Sequence, residues 1–443
     1  MRIQLSDHFT YKKLLQFSVS TVLMLICTSL YGIVDGFFVS NFVGKQPFAA
    51  LNLVFPVVMG VGTVGFMIGS GGSAIVSIAL GEKKPDRANE YFSMMVGSTA
   101  VLGTILSAIC FILAPRIAGA LGASGDMLGY CVLYGRILFA ADPFFMLQIV
   151  FQSFFIVAEK PVLSLKINVI SGVTNGVLDL LFIAVFRWGL AGAAAATAIG
   201  QVLGAVIPLV YFARENDSLL RLRAARFYGR VFWKACINGS SEMVSNLSAS
   251  LVNILYNFQL MRLAGEDGVA AYGIIMYVNF VFTAAFIGYA TGTAPVISYH
   301  YGAQNHGELK NLVRKSLVLM SVGGIVLTAA AEVLSAPLVK IFASYDQGLF
   351  ELTCTGFRIY SLAFLMMGVN IWASSFFTAL NNGGVSAMIS FLRTLIFQVA
   401  AIIVLPILWE LTGIWLAIVA AEVFALLVSA VCLAALRKKY HYA

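Results

Sequence analysis

Apolar residues gather along this chain in twelve long stretches, separated by short clusters of charged residues, Gly or Pro. By number they cover 14–36, 49–80, 91–114, 127–158, 163–186, 190–213, 235–263, 269–300, 316–343, 352–380, 386–407 and 413–436. Each is long enough to cross a bilayer core of about 30 Å as an α-helix of about 20 residues. Several are longer, which implies tilt or extension beyond the lipid. Lipid offers the backbone no hydrogen-bond partner, so the pattern predicts an all-α integral membrane protein of twelve transmembrane helices. The first stretch, Leu14 to Val34, has no small-residue cleavage site behind it and eleven spans follow, so it reads as a retained helix and not a signal peptide.

Composition agrees. Of 443 residues, 60% are hydrophobic and 11% charged, with a mean hydropathy of +0.91. Those values exclude disorder, a coiled coil and a set of soluble domains. The net charge of +8 would suit a nucleic-acid partner if the basic residues shared one surface, but they punctuate the spans instead. Loops on the side of the termini hold 20 of the 28 Lys and Arg, and those on the other side hold four: Lys45, Arg116, Arg187 and Arg262. Arg136, Lys340, Arg358 and Arg393 fall inside spans. This asymmetry predicts cytoplasmic termini in a multi-pass inner membrane protein. The six Cys all lie in apolar stretches without CxxC spacing, and the four His form no constellation, so neither a metal centre nor a cofactor is expected.

The chain also matches itself. At an offset near 221, FFVSNFVGKQPFAA (37–50) aligns with FQLMRLAGEDGVAA (258–271) and IVSIALG (75–81) with VISYHYG (296–302); at 222, Arg136 aligns with Arg358. The Arg-rich stretch 214–234 lies between the copies and suits an anionic cytoplasmic leaflet. The expected organisation is therefore an N-lobe of six helices at 1–213, a basic linker at 214–234 and a C-lobe at 235–443. Parallel repeats of six helices are pseudo-symmetric about an axis along the membrane normal. Transporters so built place a cavity between the lobes and open it alternately to either side.

A carboxylate in hydrocarbon costs about 2.5–3.5 kcal/mol on insertion scales, so each intramembrane acid is a functional candidate. Asp179 stands out, because Ser171, Asn175 and Asp179 recur at i, i+4 and i+8 and Asn168 precedes Asn175 by seven, making a polar stripe on span five. Thr197 and Asp179 are each nine residues from Trp188, so a hairpin sets both about 13 Å from the turn. Asp35, nine residues before Gly44, lies at a similar depth. In the repeat these acids align with Tyr256 and Ala401, so neither is a shared scaffold residue. Two carboxylates in one dry cavity cannot both ionise cheaply, which is the chemistry of a site that takes up H⁺ or Na⁺. Asn175, Ser171 and Thr197 would complete an oxygen shell for Na⁺ or hydrogen-bond the acids. Further candidates are Glu242, on a polar face with Asn238, Asn246 and Asn253, and Asp142, six residues after Arg136. Glu332 and Glu422 are isolated acids, Glu422 with Arg393 as a possible partner from span eleven.

These segments resemble the MATE family of multidrug and toxic compound extrusion transporters. VDGFFVSNFVG (34–44) resembles its first-helix motif, FPVVMGVG (55–62) and GSGGSAIVSIALGEKK (69–84) its second helix and following loop, and NGVLDLLFI (175–183) with GLAGAAAATAIG (189–200) its fifth and sixth helices. The loop AGEDGVAAYG is similar to the branch of DinF-like and MepA-like bacterial exporters. The resemblance implies a cation site at Asp35, Asn175, Asp179 and Thr197, and Glu242 is similar in place to a seventh-helix acid of another branch. Span one has no Pro and span ten no acid, unlike some relatives.

The combined expectation is a monomeric antiporter that exports organic cations or related amphipathic compounds in exchange for H⁺ or Na⁺. The alternative is a flippase of a lipid-linked oligosaccharide or peptidoglycan precursor. That activity calls for a cationic cavity, whereas acids dominate the first half. No HExxH, GxS-type or paired-Asp motif falls on a span, so an enzyme is not expected.

Overall fold

The computed structural model describes residues 3–343 and 346–442, and their side chains except those at 32, 33, 36, 40, 41 and 45. Arg2 and the Lys45 side chain, both in the charge count above, lie outside that description. Among the described residues the regular elements are all helical. Helix 1 is Tyr11–Phe42, helix 2 Lys45–Gly81, helix 3 Pro85–Ala120 and helix 4 Gly125–Val157. Helix 5, Pro161–Asp179, continues through a π-turn at Leu180–Val185, and helix 6 is Gly189–Ala213.

The next helical run, Gly229–Gly302, would be about 110 Å long if straight, several times the bilayer core. Gly265, at φ 62° and ψ −149°, interrupts it. Across that break the rings of Tyr256 and Tyr272 stack at 4.8 Å, although sixteen residues of one helix would separate them by about 24 Å. The chain therefore reverses there, giving helix 7 (229–264) and helix 8 (266–302). Helix 9 is His306–Ala343, and helix 10 joins Gln347–Ser361 to Phe364–Ala379 with a bend of 49°. Helix 11 begins at Gly383–Phe391, passes a second π-turn at Leu392–Ile396 and ends where Trp409 and Glu410 leave helical geometry; helix 12 follows to Tyr440. Phe397 and Phe424, whose rings lie 5.7 Å apart, close that hairpin.

Nine of the described helices, or ten with the bent pair as one, are long and apolar enough to cross a membrane. The two hairpins bring the crossings to twelve, as the hydropathy pattern predicts. Helices extend past their apolar stretches: helix 3 starts at Pro85, not 91, because Pro at its first turn is pre-set for helix and polar residues continue it into the interface.

By packing, the chain forms two compact units, Met1–Leu5 with Leu23–Gly239 and Ser6–Val22 with Ser240–Ala443. This division differs from the one expected at 1–213, 214–234 and 235–443. The linker and the start of helix 7 pack within the first unit. A Cβ on Gly71 of helix 2 would overlap the Ala235 carbonyl, and one on Gly239 the Met67 carbonyl, so two backbones touch as only small residues allow. The linker is tied to the start of helix 3. The backbone N–H groups of Arg221 and Arg223 donate to Asn89 and Ser93, the Arg223 guanidinium reaches Asp86 at 2.9 Å, and the Tyr228 hydroxyl donates to Glu90 at 2.7 Å. In the second unit the Phe9 N–H donates to Glu308 at 2.9 Å while Asn311 and Lys315 donate to the Phe9 carbonyl. Gly288 and Gly292 of helix 8 let the backbone of helix 1 come close at Val22 and Ser18.

In lipid the water-driven term between helices is lost, so packing geometry holds each unit. In the first, Phe92, Phe151, Phe154, Phe155 and Phe212 set their rings 4.8 to 5.9 Å apart, pairs worth about 0.5–1.5 kcal/mol each. Ile112, Val333, Ile341 and Ile407 are more than 70% exposed, which suits lipid and not water.

Candidate functional site

The polar stripe of helix 5 divides in two. Its N-terminal part is taken up in packing. Asn168 Oδ1 accepts from Thr28 at 3.3 Å, its carbonyl accepts from the Tyr31 hydroxyl at 3.2 Å, and Ser171 Oγ donates to the Gly200 carbonyl at 2.6 Å. The Tyr31 ring lies where a Cβ on Gly172 would be, so helix 1 seats directly on helix 5.

The C-terminal part of the stripe is left open. Asn175 Nδ2 makes only a long contact, 3.5 Å, to Thr197 Oγ1 of helix 6. One turn on, Asp179 is fully buried and neither carboxylate oxygen has a hydrogen-bond partner among the described residues. Asp35 Oδ1, from helix 1, is also buried without one. The two acids lie within electrostatic reach of each other. Tyr134 of helix 4, 1% exposed, is within reach of both. Sequence reasoning missed Tyr134, because a lone tyrosine in an apolar run carries no spacing signal.

Local geometry explains the opening. The π-turn begins at the residue after Asp179, and a π-turn widens the helix and disturbs its hydrogen-bond ladder. Arg187 and Gly189, at φ 57° and 59°, then turn the chain into helix 6, bringing Thr197 beside Asn175. The result is a buried place with two carboxyl groups, an amide and a hydroxyl, and no described positive charge paired to them. Such a donor set takes a proton on a carboxyl or a hard cation among oxygens.

The other acids differ in their surroundings. Asp142 is fully buried against Gly62 of helix 2 and interacts with Cys110 of helix 3, with both oxygens unpartnered among the described residues. It does not pair with Arg136, whose guanidinium lies over the Phe111 ring at 5.4 Å and lines a crevice of about 740 Å³ between helices 3 and 4. Residues six apart are turned by about 120° around a helix, so the two side chains leave from different faces. In the second unit Glu422 does pair with Arg393, at 2.8 Å. Glu332 accepts from Ser361 at 3.0 Å. Glu242 is partly buried and makes no ion pair among the described residues. Among the described residues no three His, Cys, Asp or Glu cluster as a metal site.

A family model described as MatE matches residues 21–181 and again 243–404. This chain belongs to the MatE family. The two matches start 222 residues apart, the offset that aligns Arg136 with Arg358, so the MatE repeat is the internal repeat of the sequence. A curated relative, the multidrug export protein MepA of Staphylococcus haemolyticus (strain JCSC1435), is 25% identical over 421 residues, covering 94% of this chain and 92% of that one. Among solved structures, a MATE protein in complex with MaL6 superposes with a TM-score of 0.92 at 20% identity, over 97% of this chain and 98% of that one. An outward-facing multidrug resistance MATE transporter gives 0.91 at 21% identity, with the same coverage. These likenesses share the MatE fold of twelve helices in two lobes.

Proposed function

We propose that this chain exports organic cations and other amphipathic compounds by alternating access, driven by inward movement of H⁺ or Na⁺. The observation that carries the reading is the pair of acids in one unit, Asp179 fully buried and Asp35 with a buried carboxyl oxygen, unneutralised by any described base. The family relatives named for multidrug export support it. The coupling cation binds at these acids, with Asn175 and Thr197 supplying neutral oxygens. Exchange follows only if cation and drug favour opposite states of the protein, because a ligand shifts an equilibrium by its differential affinity alone. The charge asymmetry of the loops supports cytoplasmic termini, and the bacterial relatives support a bacterial inner membrane, where the protein acts as a monomer. Acids rather than bases in the first unit favour this over the flipping of a lipid-linked pyrophosphate.

The test is ethidium transport in liposomes with H⁺ and Na⁺ gradients imposed separately. Wild-type protein responds to one of them. Asp179→Asn retains its fold by thermal melting and loses gradient-driven transport. A variant that still transports at the wild-type rate under the active gradient overturns the assignment.

A further inference from the structure

Two of the four histidines lie far apart in the sequence of the second unit, and the fold sets them side by side. His306 opens helix 9, next to Asn305, whose Oδ1 accepts from the Glu308 N–H at 3.1 Å and so caps the helix. His441 follows helix 12. The two rings have their centroids 4.9 Å apart and their planes at 54°, and both residues are exposed. The other two histidines are engaged elsewhere: His8 Nδ1 lies 2.7 Å from Glu308, and the His300 ring is buried against Phe9 and Tyr299.

His441 is held in place from both sides. Before it, the Tyr440 ring meets Tyr301 of helix 8 edge-on at 5.8 Å. After it, Tyr442 is buried, its ring edge-on to Phe376 of helix 10 at 5.0 Å and its hydroxyl donating to the Leu433 carbonyl at 2.8 Å. Between these anchors His441 takes φ 55° and ψ 36°, the left-handed conformation that a chain leaving a helix usually gives to Gly or Asn, because a Cβ strains it. Packing of the two tyrosines would be served by Gly between them. The strained residue is instead an imidazole, exposed and beside a second imidazole, and strain of this kind gathers at functional sites. A Zn²⁺ held at about 2.0–2.1 Å by one nitrogen of each ring, with a tetrahedral angle at the metal, sets two ring centroids about 5 Å apart. The observed separation meets that requirement.

We propose that His306 and His441 form a two-histidine site for a divalent transition-metal ion such as Zn²⁺, with water in its remaining positions. The bound metal fastens the segment after helix 12 to the turn between helices 8 and 9, and so clamps the second unit without involving the acids of the first. Imidazole nitrogen suits Zn²⁺, Cu²⁺ and Ni²⁺, whereas Mg²⁺ and Ca²⁺ take oxygen and are refused.

The test is titration of Zn²⁺ into the purified full chain without a histidine tag, by calorimetry in detergent, with Mg²⁺ as the control. Wild-type protein takes up Zn²⁺ saturably and no Mg²⁺, and its melting temperature rises with Zn²⁺, because a ligand of the folded state stabilises that state. His306→Gln and His441→Gln each weaken this binding about tenfold or more, since each removes one of two protein ligands. Both residues are exposed, so neither change empties a packed site. Trypsin reads the clamp: cutting after Arg437, Lys438 and Lys439, in the last turn of helix 12, slows with Zn²⁺ in the wild type and not in His441→Gln. Absence of saturable Zn²⁺ uptake overturns the site, and so does a loss of less than tenfold in either variant. Uptake that leaves tryptic cutting unchanged overturns the clamp.

Discussion

Arg393→Met leaves a carboxylate alone at a position with no solvent exposure. Glu422 retains its bond from Asn370 Nδ2 but loses both contacts to Nε. Breaking a buried pair from one side costs about 3–5 kcal/mol, because the surviving charge is uncompensated. Glu422→Gln alone costs less: the guanidinium is partly open and the new amide carbonyl still accepts from Asn370. The double variant strands no charge, and replacing a buried pair by neutral groups of similar volume is often close to neutral. The singles therefore exceed the double by at least the cost of Arg393→Met, a coupling of about 3 kcal/mol or more. The assay is unfolding of the four proteins in one detergent, by thermal melting and by titration with a denaturing detergent. Additive effects, or an Arg393→Met protein within about 1 kcal/mol of wild type, would refute the claim that this pair closes a dry interior.

Three shorter expectations follow from the same geometry. Gly71→Ala pushes a methyl into the Ala235 carbonyl and destabilises the first unit by about 1–3 kcal/mol, read as a lower melting temperature. Phe9→Ala empties a fully buried site beside Phe17 and costs about 3–5 kcal/mol; hydrogen exchange should speed up at the start of helix 9 and not in helices 3 to 6. In the linker, the Lys160 ammonium beside Asp217 holds that exposed carboxyl below its usual 3.8. Its stabilising effect is present above that usual value and is lost as pH falls through the lowered one. Amide protection at 214–222 should then be flat near neutrality and drop in acid, and Asp217→Asn should remove the step.

Features that depend on lipid contact were legible in the sequence, and those that depend on distant packing were not. Twelve spans follow from hydropathy, even where the helical run from Gly229 hides a hairpin, because Gly265 sits in the polar break between stretches. Asp35 and Asp179 stand out because an acid in an apolar span has few structural excuses. Arg393 and Glu422 were readable as opposite charges on adjacent spans. Asn168 and Ser171 looked equal to Asn175 on the stripe, and only Thr28, Tyr31 and the Gly200 carbonyl show that they serve the seam. The binding of Phe9 by Glu308 joins residues 299 positions apart, beyond any local pattern.

The placement of Ser6–Val22 in the second unit bears on how the protein is made. Those residues are made early, yet the surfaces they dock on, Gly288, Gly292, Glu308 and Lys315, follow only once helices 8 and 9 are translated. Helix 1 must therefore enter the membrane with its first turns, Tyr11 to Val22, unpacked. It waits there while helices 2 to 7 are synthesised. A chain stopped after Gly239 holds nearly all of the first unit and none of the partners of its own first turns. Domains generally fold in order of synthesis, and here that order is broken by seventeen residues that dock only after helices 8 and 9 have been made.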